Sequence, residues 1–116
     1  MEQIELYQEL ERKLRQLDVC IRQLRQTGSE FAEAEREYQI SKRDTCLRLK
    51  AEGMAVGMIS MVCKGEPTVA SKLYDRLAKE AIYKANQEAV MSLKLQIRVL
   101  DNQISREYGN PNVGRG

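Results

Sequence analysis

Apolar residues recur every three or four positions through the first half of the chain: Tyr7, Leu10, Leu14, Leu17, Ile21, Leu24, then Phe31 and Tyr38. The positions between them are mostly Glu, Arg, Lys and Gln. A stripe of this kind with a solvated opposite face predicts an amphipathic helix carrying a heptad seam. Thr27-Gly28-Ser29-Glu30 interrupts the pattern, and Thr27 with Glu30 fits a capping box that would start a new helix. The heptad phase nevertheless survives: Leu24 and Phe31 are seven residues apart, and Gly28 falls on the seam. A continuous or slightly kinked helix over about residues 3–52 is therefore expected, with Gly53 as its C-terminal cap.

Residues 54–65 differ. Met54, Val56, Met58, Ile59, Met61, Val62 and Cys63 crowd between Gly53 and Gly65, a length that suits one short helix. Pro67 fits the first turn of a further helix and would break an interior. From there the helical period returns over about residues 68–107, with a strict seam of Val90, Leu93, Ile97, Leu100 and Ile104. Residues 109–116 are turn-forming and read as a flexible tail. The chain is expected to be all-α, one domain over residues 1–108, a long antiparallel helical hairpin of coiled-coil character with a short connecting helix at its tip.

A register follows if large residues face one another. Leu17 with Ile104, Ile21 with Leu100, Leu24 with Ile97 and Phe31 with Val90 all total 121, which sets Gly28 against Leu93, small against large. The alternative is that both seams face other subunits. In this register Tyr7 and Leu10 lie beyond the end of the last helix. An apolar stripe with no intrachain partner predicts a homo-oligomer with Tyr7 and Leu10 in its interface. A two-helix hairpin also buries little surface alone, and oligomerisation remedies that.

Composition narrows the chemistry. Of 116 residues, 19 are Lys or Arg and 17 are Asp or Glu, so the net charge of +2 leaves any basic site local rather than global. The absence of His removes the commonest general base and metal ligand. Glu33 and Glu37 form one ExxxE pair without the His that a dinuclear site would use. There is no glycine-rich phosphate loop and no nucleophile elbow. No enzyme activity, metal or cofactor is expected. Cys20, Cys46 and Cys63 are odd in number and widely spaced, which argues against a disulfide framework and for a reducing cytoplasm. No stretch reads as a signal peptide or membrane span.

Three constellations remain. Leu47 to Ser60 has the outline of a helix-turn-helix, but its second helix offers only Ser60 and Lys64 for reading bases. Met54, Met58 and Met61 have helical spacing; such a stripe is usually core, and if exposed it could dock a protein partner. Arg43, Arg48, Lys50, Lys64, Lys72 and Arg76 gather toward the tip from both long helices and the connector. Solvated surface diluted by Asp44, Glu52, Glu66 and Asp75 is the plain reading. The sharper one is an anion pocket in which Arg48 and Arg76 approach within a turn of each other and Thr68 adds backbone donors. The thiols read as structural.

From Glu37 onward the sequence resembles small helical proteins encoded in early gene clusters of phages and prophages of Gram-positive bacteria. The resemblance rests on Glu37-Tyr38-Gln39-Ile40, Leu49-Lys50-Ala51-Glu52-Gly53-Met54, Lys64-Gly65, Ser92 to Leu100, and Arg106-Glu107-Tyr108-Gly109. It implies a viral origin and action in the host cell cytoplasm, without a defined activity. Such clusters hold recombination accessories and inhibitors of host defence. The leading expectation is thus a non-catalytic counter-defence protein that binds a host immune protein or sequesters a nucleotide-like anionic signal. The alternatives are a recombination or replication accessory touching single-stranded DNA, though no aromatic stacking platform is evident, and a structural coiled-coil assembly protein.

Overall fold

The computed structural model describes residues 2–108. It is all-helical over these residues: α1 spans Gln3–Ala51, α2 Val56–Gly65 and α3 Pro67–Tyr108. The expected bounds hold to within two residues, and the tail at 109–116 lies outside the described residues. α1 passes through Gly28 without a break, so Thr27 and Glu30 do not cap a new helix.

The ends of the helices follow from local chemistry. Gly53 adopts a φ of 91°, a conformation that costs glycine little. Its N–H donates to the Lys50 carbonyl at 3.0 Å, and that of Met54 donates to the Leu49 carbonyl at 3.1 Å. This pair of bonds is a Schellman motif, and Met54 packs back onto the cluster containing Leu49, the apolar contact that usually accompanies it. At the next junction the Glu66 N–H closes α2 on the Cys63 carbonyl at 3.1 Å. The Glu66 carbonyl then receives the Ala70 N–H at 2.9 Å and opens α3, with Pro67 in the first helical position where its missing donor is harmless.

The chain divides into two compact units, each taking a part of α1 and of α3. One comprises residues 25–84 and includes α2. Its core is Leu49, Ile59, Cys63 and Val69, with Tyr38, Cys46, Met54 and Val62 packed against it. Here α1 and α3 are joined by Glu37–Lys72 at 3.2 Å, Glu30–Lys79 at 3.8 Å, the ion pair Glu35–Arg76, and the tilted rings of Phe31 and Tyr83 at 5.9 Å. A Cβ on Gly28 would lie 3.0 Å from the Tyr83 ring.

The other unit comprises the residues up to Leu24 and those from Ala85 onward. It buries Leu6, Val90 and Ile104. The expected α3 seam from Val90 to Ile104 is buried or half-buried throughout. On α1, Leu17 and Leu24 are half-buried as expected, and so is Leu10, which was expected to lack a partner within the chain; the line between them runs through Leu6, Lys13 and Cys20, and Tyr7 and Leu14 are exposed. Lys13 can hold a seam position because its stem packs while its ammonium reaches water.

These contacts correct the register. Facing pairs total 109 to 111 in the first unit. In the second, Leu93 shares a shallow hollow with Gln16, Val19 and Cys20. Gly28 therefore faces Tyr83, and Leu93 lies against α1 about eight to twelve residues before Gly28. The shift from 121 is about eleven residues, or three turns at 3.6 residues each. Three whole turns leave the same faces together while sliding the pairing by about 16 Å. The slide also removes the reason for expecting Tyr7 and Leu10 to lack partners. Tyr108, the last residue of α3, lies close enough to Glu2 and Glu5 for their charges to act on its hydroxyl, so α3 runs alongside the first turns of α1.

Candidate functional site

Most of the cations proposed as an anion site are engaged by carboxylates. Arg48 donates to Glu66 at 2.6 Å and to Glu52 at 3.1 Å. These bonds, that to Glu66 foremost, raise its pKa above the ordinary guanidinium value. Lys72 bonds Glu37 at 3.2 Å, and Arg43 bonds Asp44, its neighbour in sequence, at 3.2 Å. Arg76 pairs with Glu35 through two atoms shut off from solvent, and its guanidinium carbon lies 5.8 Å from the Tyr38 ring centroid. The Gln39 amide first, and Arg76 after burial has opposed it, lower the pKa of Glu35 below the usual carboxylate value. Lys50 and Lys64 are exposed in the last turns of α1 and α2.

Arg48 and Arg76 do not meet. Arg76 is level with Glu35, thirteen residues before Arg48 on α1, or about 20 Å along the axis. The register explains the discrepancy, since a total of 121 would have brought them together and one near 110 cannot. The cations that do converge are Arg48 and Lys72. They line an open groove of about 500 Å³ with Ile40, Ser41, Thr45 and Thr68. Glu37, Asp44 and Glu66 line the same groove, so three carboxylates oppose two cations. A bound anion would have to displace carboxylates already in place, and this cost removes most of the benefit of charge-assisted bonding. The sequence showed the cations. It could not show Glu66, Glu37 and Glu35 as their partners, because those pairings depend on the register.

The methionines divide. Met54 is half-buried against the core, whereas Met58 and Met61 are 50% and 67% exposed. Val56, 78% exposed, and Leu47 at 59% add to the uncovered apolar surface. α2 is amphipathic in an unusual sense. Ile59 and Cys63 face the core, and the exposed residues include the apolar Val56, Met58 and Met61 beside Gly57, Ser60, Lys64 and Gly65. Large apolar side chains on the side of a helix turned from the core are normally covered.

Cys46 packs against the cluster that holds Cys63, a neighbourhood that the spacing in sequence does not reveal. Cys63 donates to the Lys42 carbonyl at 3.5 Å, and burial first, then Cys46, pushes its pKa up. A thiol held protonated in the core is a poor nucleophile. Cys20 is half-buried. Among the described residues no group of His, Cys, Asp or Glu could hold a metal ion, and no helix is long and apolar enough to cross a membrane.

Compared with known proteins, the chain matches no family model, no curated protein and no solved structure.

Proposed function

We propose that the chain is a non-catalytic binding protein whose target is another protein, taken up on the outward face of α2. The observation that carries this reading is the exposure of Val56, Met58 and Met61 on a ten-residue helix. Exposed apolar surface of this kind gains most from a partner that covers it. Methionine is flexible and polarizable, and it adapts to an apolar surface of irregular shape. The groove holding Arg48 and Lys72 offers an anion less, because its cations are already neutralised. Nucleotide sequestration and single-stranded DNA binding are accordingly ranked below protein binding. The resemblance to phage early proteins supports a counter-defence role, with a host immune protein as the target.

The test compares wild type with Met58→Glu/Met61→Glu and with Arg48→Ala/Lys72→Ala. An environment-sensitive apolar dye serves as the first probe, and proteins retained from a host extract as the second. Dye binding and the retained protein should both be lost in the methionine variant and kept in the cation variant. Each buried methionine is worth about 1.5–3 kcal/mol, so affinity should fall by at least about tenfold. Thermal stabilisation by a nucleotide or single-stranded DNA that depends on Arg48 and Lys72, and not on the methionines, would overturn the reading.

A further inference from the structure

α3 carries a second apolar row that its seam does not use. Met91, Leu95 and Val99 are 69%, 58% and 55% exposed. At 100° per residue, Leu95 lies about 170° and Met91 about 130° round the helix from the centre of the stripe of Val90, Leu93, Ile97 and Ile104, so both face away from the seam. They belong to a row with heptad spacing, Glu88, Met91, Leu95, Arg98 and Asn102, every member of which is exposed. Among the described residues, the unit to which this row belongs buries only Leu6, Val90 and Ile104. So small a core has much to gain from covering a further stripe.

We propose that this row is the pairing surface for a second copy of the chain, with the two α3 helices antiparallel. A second copy fits because the row complements itself when reversed. Turned about the point midway between Met91 and Leu95, Met91 meets Leu95 of the second copy and Leu95 meets Met91. In the same register Glu88 meets Arg98 and Arg98 meets Glu88, so both contacts form twice. This is the alternation that an antiparallel two-helix seam requires. Val99 then falls beside Ala85, large against small. Parallel pairing would instead set Glu88 against Glu88 and Arg98 against Arg98.

The charges carry independent weight. Ion pairs within the chain engage Glu30, Glu35, Glu37 and Glu66, but among the described residues Glu88 and Arg98 make none. Flanking an apolar pair with unspent opposite charges sets orientation and register as well as affinity. Lys94 works against the pairing. It lies at the rim near the twofold axis, opposite its own counterpart, so Lys94→Gln should tighten the dimer.

This inference does not rest on the reading of α2 and uses a different surface. It also moves the expected interface from Tyr7 and Leu10 to α3. The test is the mass of the full chain in solution at micromolar concentration, by light scattering and sedimentation, with circular dichroism to confirm that each variant remains helical. Wild type should be a dimer and Leu95→Glu a monomer. Tyr7→Glu should remain dimeric. Glu88→Arg and Arg98→Glu should each raise the dissociation constant by about tenfold or more, since each brings like charges together twice. The double exchange Glu88→Arg/Arg98→Glu should restore the wild-type value. A monomeric wild type, a dimer indifferent to Leu95→Glu, or a double exchange no better than its single variants would each overturn the proposal.

Discussion

α1 and α3 pack against each other in both units, but by different means. In the unit of residues 25–84 the two helices are tied by Glu30–Lys79, Glu35–Arg76 and Glu37–Lys72, by the Phe31–Tyr83 ring contact, and by a shared cluster with α2. In the other unit the ion pairs Glu9–Arg12, Glu9–Lys13, Glu11–Arg15 and Asp18–Arg22 all lie within α1. Its helices are held by an apolar seam with three buried side chains, Leu6, Val90 and Ile104. Apolar contact is non-directional and tolerates sliding, whereas an ion pair or a ring against a glycine tolerates neither sliding nor exchange. Register is therefore specified mainly by residues 25–84. The seam beyond them supplies burial, and it leaves an outward row on α3 free for a partner.

The difference between the two units should be disturbed most by a change at Leu49. This residue is buried, closes the Schellman motif at the end of α1 and belongs to the cluster with Ile59, Cys63 and Val69. Leu49→Ala should cost about 2–5 kcal/mol. Hydrogen exchange read residue by residue should show the loss of protection concentrated in residues 25–84. A loss spread evenly over the chain would mean that the two units unfold as one and that the division has no energetic content.

A smaller effect is expected at Gly28. A Cβ there would stand 3.0 Å from Tyr83, whose ring is in turn held by Phe31. Gly28→Leu should therefore overpack the contact and cost about 1–3 kcal/mol. Tyr83→Ala in the same background should recover part of that loss, as coupled neighbours do. Recovery by Leu93→Ala instead would restore the register near 121.

How much of this was legible follows from what each feature depends on. The three helices and their ends rest on periodicity, on Gly53 and on Pro67, all of which are local. The α3 seam was legible because Val90, Leu93, Ile97, Leu100 and Ile104 form a single unbroken apolar line. The α1 seam was legible only in part, because Tyr7 and Leu14 are more apolar than Lys13 and so drew the line one residue aside. The register was not legible. Sliding by three turns keeps every stripe facing its partner, so the apolar pattern cannot choose between totals of 110 and 121. That choice belongs to Glu30, which reads in sequence as half of a capping box, and to Glu35 and Glu37, which fall on the solvated face. The candidate site inherited the error. Arg48 and Arg76 were recognisable as cations, but which carboxylate each would meet depended on the slide. α2 was recognisable as apolar, yet only burial separates Met54, against the core, from Met58 and Met61, outside it.

The smallest effect concerns acid. Glu35 has its pKa lowered in the folded chain, by the Gln39 amide and by Arg76, from an ordinary value of 4.5. A carboxylate whose folded pKa is depressed stabilises the fold above its unfolded pKa, and that contribution is lost as the pH falls through the folded value. The window thus opens near 4.5 and extends below it. Glu33 behaves in the same direction through Arg36, but that pair lies within one helix and does not bear on the packing of α1 against α3. Protonating Glu35 releases Arg76, its partner across the two helices. Lowering the pH from about 6 to about 3.5 should therefore cost residues 25–84 more hydrogen-exchange protection than the residues on either side, where the described ion pairs do not cross between helices. Glu35→Gln should remove part of this difference while leaving the helical content unchanged. An acid response of equal size in both units, or one unaltered by Glu35→Gln, would show that the cross-helix charges do not hold the register and that the ring of Tyr83 against Gly28 does so alone.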